Sequence, residues 1–315
     1  MMTTPSESYL GPIIAVVGPT ATGKSALALD LCEALGGEVV NADAMQLYRG
    51  MDIGTAKLPL AERRGIDHHL LDILDITAEA SVAAYQGQAR AVIGAIRQRG
   101  RVPVLVGGSG LYVRAALDPL VIPPTDPQVR SRYQEQADSE GVDALYAVLR
   151  QRDPVAAEAI DPRNARRIVR ALEVIEITGR PFSASMPTRT YLSPTVAIGL
   201  DADTAVIDER IDARVRAMWA DGLIDEVRQL EPLGLRTGRT ASRAIGYAQA
   251  LAQLDGELSE DAAIAATQQL TRRFARRQRS WFRPDPRITW FDAGEPAASA
   301  VDHVLAAVRD TGARD

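Results

Sequence analysis

The sequence predicts an α/β fold in which helices flank a parallel sheet and an all-helical insertion interrupts the chain. Short apolar runs alternate with segments of helical periodicity over residues 13–117, and this alternation returns from residue 195 onward. Residues 118–194 contain helical patterns but no convincing strand. A glycine loop also lies between the first apolar run and the first helix, as in P-loop NTPases. We therefore expect a P-loop NTPase-like core domain, residues 1–117 and 195–315, and a helical insertion domain, residues 118–194.

The glycine loop follows the apolar run Ile13–Val17 and precedes a helical pattern that starts at Ala26. Its spacing fits G-x-x-x-x-G-K-[ST], in which backbone N–H groups surround a phosphate at the start of a helix. Only two of the 36 Lys and Arg residues are lysines, which indicates that position 24 requires a compact ammonium group. The Ser25 hydroxyl is expected to hold Mg²⁺. The sequence thus predicts a di- or triphosphate site formed by Gly18, Pro19, Thr20, Ala21, Thr22, Gly23, Lys24 and Ser25.

Two polar side chains follow predicted strands. Asp43 comes after Glu38–Asn41, and Ser109 comes after Val102–Val106. Chemistry in open α/β sheets lies at the carboxyl ends of strands, so Asp43 is expected to be a base or hydrogen-bond acceptor near the phosphate loop. Ser109 could donate a hydrogen bond to a phosphate or a leaving oxygen, and either residue could instead cap a helix. Glycines and a hydroxyl replace the Asp that ends such a strand in nucleotide hydrolases, so hydrolysis is disfavoured.

Arginines recur at helical spacing in two places. One stripe lies in the insertion, and the other is a helix from Arg272 to Arg283 with interleaved aromatic residues and no acid between its arginines. Such stripes are usually solvated helix faces, but they could also bind the phosphates of a nucleic acid. Because the net charge is −5, contact with a polyanion must rely on such local patches. Arg243, near a glycine-containing helix start, could be an anion clamp or a surface arginine.

The composition excludes several kinds of site. Cys32 is the only cysteine, so disulfides and cysteine-rich zinc sites are excluded, and a buried core thiol is expected. His68 and His69 are neighbours on an extended segment and point to opposite sides, so packing or hydrogen bonding is favoured over metal binding.

No run approaches 18 apolar residues, and residues 1–10 lack a signal-peptide pattern. We therefore expect a soluble cytoplasmic protein with no membrane contact.

Six sequence blocks, taken in order along nearly the whole chain, resemble the bacterial tRNA dimethylallyltransferases. The blocks are Gly18–Ser25, Asn41–Tyr48, Met51–Lys57, Gly107–Tyr112, Arg170–Val174 and Ala244–Tyr247. The resemblance implies that a dimethylallyl group is transferred from dimethylallyl diphosphate to the N6 amine of the tRNA adenosine just 3′ of the anticodon. It also implies Mg²⁺ as the cofactor and diphosphate as the leaving group.

The resemblance also implies roles for individual residues. Asp43 accepts the amine proton, and with an ordinary pKa near 4 it would be ionised. Lys24, Ser109 and Arg243 are suited to neutralise the departing diphosphate. Ser109 and Ala248 stand where many members have a threonine and a basic residue, respectively, and the second difference weakens one tRNA contact. The expected tRNA contacts are Asp43, Ala44, Met45, Gln46, Arg130, Arg166, Arg167, Ile168, Val169, Arg170, Arg243, Ala244, Ile245, Gly246, Tyr247 and Ala248.

Two other functions stay open at this point. A P-loop kinase for a small molecule would use Asp43 as the base toward a substrate hydroxyl, but it leaves the arginine stripes without a purpose. A non-catalytic tRNA-binding regulator that senses a nucleotide would explain the stripes, but not Asp43. We expect a monomer whose partners are the anticodon stem-loop of tRNA and dimethylallyl diphosphate, and we leave open whether ATP also binds the loop.

Overall fold

The computed structural model describes residues 11–185 and 189–312, and the chain divides into two compact units. One comprises the residues through Leu117 and those from Tyr191 onward, and the other is Asp118–Thr190. The sequence prediction extended the insertion to residue 194, whereas in this division the second unit ends at Thr190. Leu192 donates a backbone hydrogen bond to the Leu117 carbonyl (2.8 Å), so the segment before the next strand already belongs to the first unit.

The first unit is built on a six-stranded sheet in which every pairing is parallel, in the order β3-β2-β4-β1-β5-β6. Strands β1 and β2 are buried along their full lengths, which explains why β1 is a continuous apolar run instead of an alternating pattern. The predicted parallel α/β fold is thereby confirmed. The strands are β1 Ile13–Val17, β2 Gly37–Asn41, β3 His68–His69, β4 Val102–Gly107, β5 Thr195–Asp201 and β6 Ile288–Asp292.

The described residues form twelve α-helices, of which α4 to α7 make up the second unit. Their bounds are α1 Lys24–Leu35, α2 Val82–Gln98, α3 Gly110–Leu117, α4 Pro127–Glu140, α5 Val142–Arg152, α6 Pro154–Ala159, α7 Ala165–Thr178, α8 Thr204–Ala220, α9 Leu223–Leu230, α10 Tyr247–Leu254, α11 Glu260–Phe282 and α12 Ala297–Gly312. Short 3₁₀ helices occur at Leu60–Glu62, Phe182–Ser185, Leu235–Thr237 and Ala241–Arg243. No described helix is both long and apolar enough to cross a membrane.

The second unit is a small helical bundle with its own core. Two of its helices start at Asp-Pro pairs, in which Asp126 and Asp153 accept hydrogen bonds from backbone N–H groups of the first turn and the proline occupies a position that needs no N–H donor. Its core includes the fully buried Leu149, Ile168 and Leu172. Within its described residues this unit has no strand, as the absence of a strand pattern in the sequence indicated.

Three predicted packing roles are confirmed in the first unit. Cys32 is 2% exposed in the core beneath the sheet, and burial raises the pKa of its thiol to about 12. The His69 ring nitrogen Nε2 lies 2.6 Å from a Glu38 carboxylate oxygen, while His68 Nδ1 lies 2.9 Å from the Ile66 carbonyl oxygen. Both histidines are therefore engaged in hydrogen bonds within the fold.

Candidate active site at the carboxyl edge of the sheet

The phosphate loop lies between β1 and α1, and its backbone is shaped by close packing against β5. A Cβ on Gly18, whose φ is +131°, would lie 2.2 Å from the Leu200 carbonyl oxygen, so only glycine fits there. Helix α1 begins at Lys24 and has no acidic residue in its first turn. The positive end of this helix is therefore available to an anion.

Not all of the predicted loop residues can offer an N–H group to a phosphate. Pro19 has none, and the Thr20 N–H donates to Gln278 Oε1 (2.8 Å). The Thr20 hydroxyl is also engaged, because it accepts a hydrogen bond from Arg214 Nη2 (2.7 Å). Beyond Thr20, the N–H groups of residues 21–25 are left to bind an anion at the start of α1, and Thr20 positions the loop.

Three ionisable groups influence one another beside this loop. Burial, and then the nearby positive charge of Arg214, lower the pKa of Lys24 to about 8, while Asp43 opposes the shift. Burial also lowers the pKa of Arg214, again opposed by Asp43. The Lys24 ammonium donates to the Pro19 carbonyl, and Arg214 Nε is buried without a hydrogen-bond partner among the described residues. Two cations against one carboxylate leave a positive surplus, which suits a multiply charged anion.

Asp43 is fixed by its own backbone neighbourhood just beyond the end of β2. Its N–H donates to Asn41 Oδ1 (2.9 Å), the Asn41 amide donates back to the Asp43 carbonyl (3.0 Å), and Asp43 Oδ1 accepts from the Met45 N–H (2.9 Å). Burial raises the pKa of this carboxyl, against the lowering influence of the Met45 hydrogen bond and of Lys24. The expectation of an ordinary pKa is therefore wrong, and the raised pKa makes Asp43 a stronger proton acceptor once ionised.

Ser109 joins the ends of two strands. Its hydroxyl oxygen accepts a hydrogen bond from the Ala44 N–H (3.2 Å), so the turn after β4 is tied to the segment that carries Asp43. The hydroxyl hydrogen is left to donate elsewhere. The sequence placed the loop, Asp43 and Ser109 at one edge because each follows a parallel strand, and the structure has all three at that edge.

Arg243 is exposed on the 3₁₀ turn Ala241–Arg243, and no hydrogen bond or ion pair joins its side chain to the described residues. Arg214, which the sequence analysis missed, is the arginine that reaches the phosphate loop. It lies within the apolar face of α8, between Ile211 and Val215. A charged residue at an apolar position of an amphipathic helix was the signal that could have revealed it.

The donor set suits Mg²⁺ bound through substrate phosphates. Ser25 is exposed in the first turn of α1, and the described residues contain no group of three or more His, Cys, Asp or Glu that could hold a metal ion. Mg²⁺ commonly keeps several waters and takes phosphate oxygens as ligands instead of an all-protein cage. One serine hydroxyl beside a candidate phosphate site fits that preference.

The predicted tRNA-binding arginines of the second unit fall into two groups. Arg166 and Arg167 are exposed, and neither side chain has an ionic or hydrogen-bond partner among the residues described. Arg130 instead makes a bidentate contact with the buried Glu173 (2.9 and 3.1 Å). Arg170 donates to the Pro123 and Pro124 carbonyls (2.7 and 2.9 Å) and to Glu173. Ile168 and Val169, also predicted at this interface, are buried in the core of the unit.

The arginine stripe of α11 has counter-charges that the local sequence does not reveal. Acids on α8 and at the end of β5 supply them, so the absence of acids between the arginines of α11 does not leave this helix without counter-charges. Only Arg273 and Arg277 are exposed without an acidic partner among the described residues, and Arg277 lies over the Phe274 ring. The pairs are Arg272–Asp212, Arg276–Asp208, Arg279–Asp201 and Arg283–Asp201.

Other residues predicted to contact tRNA are partly committed to the fold. Gln46 donates to the Thr55 carbonyl (3.1 Å), while Met45 packs against the hydrophobic core. Tyr247 is completely buried, and its hydroxyl donates to Glu226. Ala244 and Gly246 are buried, whereas Ile245 and Ala248 are half-buried. Side-chain contact with a partner is thus open to fewer of these residues than the sequence indicated.

This edge of the sheet defines a class of protein: a P-loop fold in which helix α1, Lys24 and Arg214 form a candidate anion site, with the half-buried Asp43 carboxylate beside it. Residues 46–285 match the IPPT, or IPP transferase, family model. The chain belongs to the IPP transferase family.

Curated relatives and solved structures agree with that assignment. A tRNA dimethylallyltransferase of Kineococcus radiotolerans is 59% identical over 90% of this chain and 91% of its own length. One from Streptomyces avermitilis is 62% identical over 88% and 89%. The crystal structure of a Bacillus halodurans tRNA isopentenylpyrophosphate transferase is similar with a TM-score of 0.71, at 39% identity over 96% and 98% of the two chains. A eukaryotic dimethylallyltransferase acting on tRNA gives a TM-score of 0.77 at 28% identity, over 90% of this chain and 74% of that one.

Proposed function

We propose that this chain transfers a dimethylallyl group from dimethylallyl diphosphate to N6 of the adenosine 3′-adjacent to the anticodon of tRNA, with release of diphosphate. The observation that carries the proposal is the placement of a half-buried carboxylate, Asp43, beside a candidate anion site that contains Lys24 and Arg214. Membership of the IPP transferase family and the names of the relatives support the choice of this reaction. The proposed tRNA substrate also supports a cytoplasmic location for this chain.

The residues of the chain have separate tasks in this reaction. The C1–O bond of the allylic diphosphate breaks as the adenine amine attacks C1, and the departing oxygens gain negative charge. The N–H groups of residues 21–25, with Lys24 and Arg214, stabilise that charge. Asp43 accepts the proton that the amine loses. Mg²⁺, held through Ser25 and the diphosphate, would supply further charge neutralisation when bound.

Hydrogen bonds connect the two sides of this reaction. Ser109 accepts from the Ala44 N–H and can direct its own hydrogen toward a diphosphate or adenine acceptor.

The adenine must leave its stack before its amine can reach Asp43, as bases must for chemistry on their edges. Exposed cations of the second unit, Arg166 and Arg167, are the proposed phosphate contacts of the tRNA.

The proposal is tested by following which group the chain transfers. The protein is incubated with Mg²⁺ and labelled dimethylallyl diphosphate or γ-labelled ATP, with and without unmodified tRNA. We expect label on the tRNA only from dimethylallyl diphosphate, and no labelled small-molecule product from ATP. Phosphate transfer from ATP to a small molecule would support the kinase instead, and no transfer of either label would support a regulator.

The lowered pKa of Lys24 leads us to expect a loss of activity at alkaline pH. A lysine binds the diphosphate as a cation, so its contribution is complete below a pKa of about 8 and is lost as the pH rises through that value. We expect kcat/KM for dimethylallyl diphosphate, which reports the free enzyme, to fall above about pH 8. In Lys24→Arg this alkaline decline should disappear, because arginine stays charged. A decline that Lys24→Arg leaves unchanged would assign it to another group.

The exposed pair of arginines predicts the salt dependence of tRNA binding. Replacing both Arg166 and Arg167 by Gln should weaken tRNA binding, and the log–log salt slope should flatten by roughly 0.7 to 0.9 for each tRNA phosphate that an arginine no longer neutralises. The affinity for dimethylallyl diphosphate should stay unchanged. A matched control replaces Arg132 and Arg163, which are also exposed but are paired with Glu176 and Asp161. Equal salt slopes in the two double variants would show that Arg166 and Arg167 have no special role in tRNA binding.

The oligomeric state of the chain and ATP binding to the phosphate loop can each be tested directly. We propose that the chain acts as a monomer, which sedimentation equilibrium with and without tRNA would check. ATP binding to the phosphate loop is likewise testable, because ATP should compete with dimethylallyl diphosphate for the N–H groups of residues 21–25 if it occupies the same site.

A further inference from the structure

Gln278 is a buried amide on α11 with both of its polar ends engaged. It is 5% exposed, its Oε1 accepts from the Thr20 N–H (2.8 Å), and its Nε2 donates to the Gly108 carbonyl (3.0 Å). The two partners fix the orientation of the amide, because an N–H group only donates and a carbonyl only accepts. A buried amide with both ends satisfied holds its partners firmly, since breaking either bond leaves a polar group unpaired.

The two partners belong to opposite sides of the candidate active site. Thr20 lies in the loop that binds the diphosphate, whereas Gly108 lies in the turn that leads to Ser109. Ser109 in turn accepts from the Ala44 N–H, next to Asp43. A continuous path thus runs from the leaving-group loop, through Gln278, to the segment that carries the base.

The side-chain amide of Gln278 packs closely against the backbone of Gly108. A Cβ on Gly108 would lie 2.0 Å from Gln278 Nε2, so the amide rests directly on the Gly108 backbone. Any larger residue at position 108 would displace the amide. Gly108 and Gln278 therefore form one fitted contact, and either residue can be changed to break it.

We propose that Gln278 is a positioning residue that sets the separation between the departing diphosphate and the carboxylate of Asp43. This inference rests on the proposed function. Direct displacement at C1 requires the amine and the leaving oxygen to lie on opposite sides of one carbon, and errors of about 1 Å in such an arrangement can cost about 10²-fold in rate. Gln278 reaches none of the reacting groups through its own hydrogen bonds, because both bonds end on backbone atoms of the two loops.

The test replaces Gln278 by Met, which keeps the volume of the side chain but removes both hydrogen bonds. We expect the single-turnover rate of prenyl transfer to fall about 10- to 100-fold. Affinities for inorganic diphosphate with Mg²⁺ and for tRNA should stay within about threefold of wild type, because the N–H groups of residues 21–25 and Arg166 and Arg167 are unaffected.

Gln268 provides the matched control. It lies on the same helix, is 8% exposed, and donates one hydrogen bond to the Asp212 carbonyl (3.1 Å), away from both loops. Gln268→Met should lower the melting temperature to a comparable extent but leave the single-turnover rate within about threefold. A rate loss shared equally by the two variants would overturn the positioning role.

Gly108→Ala gives a second, independent variant that leaves Gln278 itself in place. If both changes act by breaking the same contact, the double variant Gly108→Ala/Gln278→Met should be no slower than the slower single variant. Multiplicative losses in the double variant would overturn the proposal, as would a Gln278→Met rate within threefold of wild type or a loss confined to diphosphate affinity.

A wild-type chain that transfers no dimethylallyl group would contradict the proposed function itself. Normal wild-type transfer with an unaffected Gln278→Met would contradict only the positioning role.

Discussion

Replacement of Asp43 by Asn is expected to lower the single-turnover rate of prenyl transfer by at least about 10²-fold, the usual contribution of a positioned general base. Asn keeps an oxygen that can accept from the Met45 N–H, so the local backbone should hold, but it cannot take the proton of the adenine amine. Because burial raises the pKa of Asp43, wild-type activity should fall as acid protonates this carboxyl, at a pH above the ordinary value near 4.

The measurement is a rapid-quench time course at saturating dimethylallyl diphosphate, repeated at several pH values. We expect the acid decline of wild type to be absent in Asp43→Asn, and tRNA affinity to be nearly unchanged. Asp75→Asn is the control, because it removes an exposed carboxylate that pairs with Arg49 on the surface and should leave the rate within about twofold. A near-normal rate in Asp43→Asn would reassign Asp43 to a purely structural role.

Arg214→Ala should have the second large effect, a fall of about 10²- to 10³-fold in rate, comparable to removing one oriented donor from a developing anion. Arg214 is half-buried, reaches the phosphate loop through Thr20 and has an Nε without a hydrogen-bond partner in the described part of the chain, so a bound diphosphate would be its natural partner. Binding of inorganic diphosphate should weaken as well, since a charge-assisted hydrogen bond is removed from a partly desolvated site.

Arg216 lies two positions further along α8, is exposed, and serves as the matched control. Arg216→Ala removes the same charge from the same helix and should leave both the rate and diphosphate affinity within about twofold. Arg214→Lys should recover part of the loss, because it restores the charge without the planar fork of donors. Equal behaviour of Arg214→Ala and Arg216→Ala would remove Arg214 from the site.

Much of this architecture could be predicted because its signals are local. The segments that became β1, β2 and β4 were recognisable as short buried strands, and they lead into the phosphate loop, Asp43 and Ser109, respectively. In a parallel sheet these strand ends must meet at one edge. The helical insertion was equally visible, because helical periodicity and the absence of strand patterns are properties of neighbouring residues.

The features that could not be predicted depend on residues far apart in the sequence. Arg214 contacts Thr20, and Gln278 contacts both Thr20 and Gly108, only because helices α8 and α11 pack beside the phosphate loop. The raised pKa of Asp43 results from burial, which the sequence does not specify.

Helical spacing likewise could not separate functional arginines from structural ones. Arg167 and Arg170 belong to the same stripe, yet Arg170 is occupied by the Pro123 and Pro124 carbonyls and by Glu173. The counter-charges of the α11 arginines come from α8 and β5, so no inspection of α11 alone could find them. Tertiary partners decide which cations are left for a ligand.

In the proposed reaction, the phosphate loop holds a diphosphate as the leaving group of an alkyl transfer to tRNA. Its most direct test measures diphosphate release and prenyl incorporation in one reaction, followed by digestion of the tRNA to nucleosides. We predict one diphosphate released for each dimethylallyl group incorporated, with all of the label on N6 of the adenosine next to the anticodon. Diphosphate release without incorporation, or label on another nucleoside, would contradict the account.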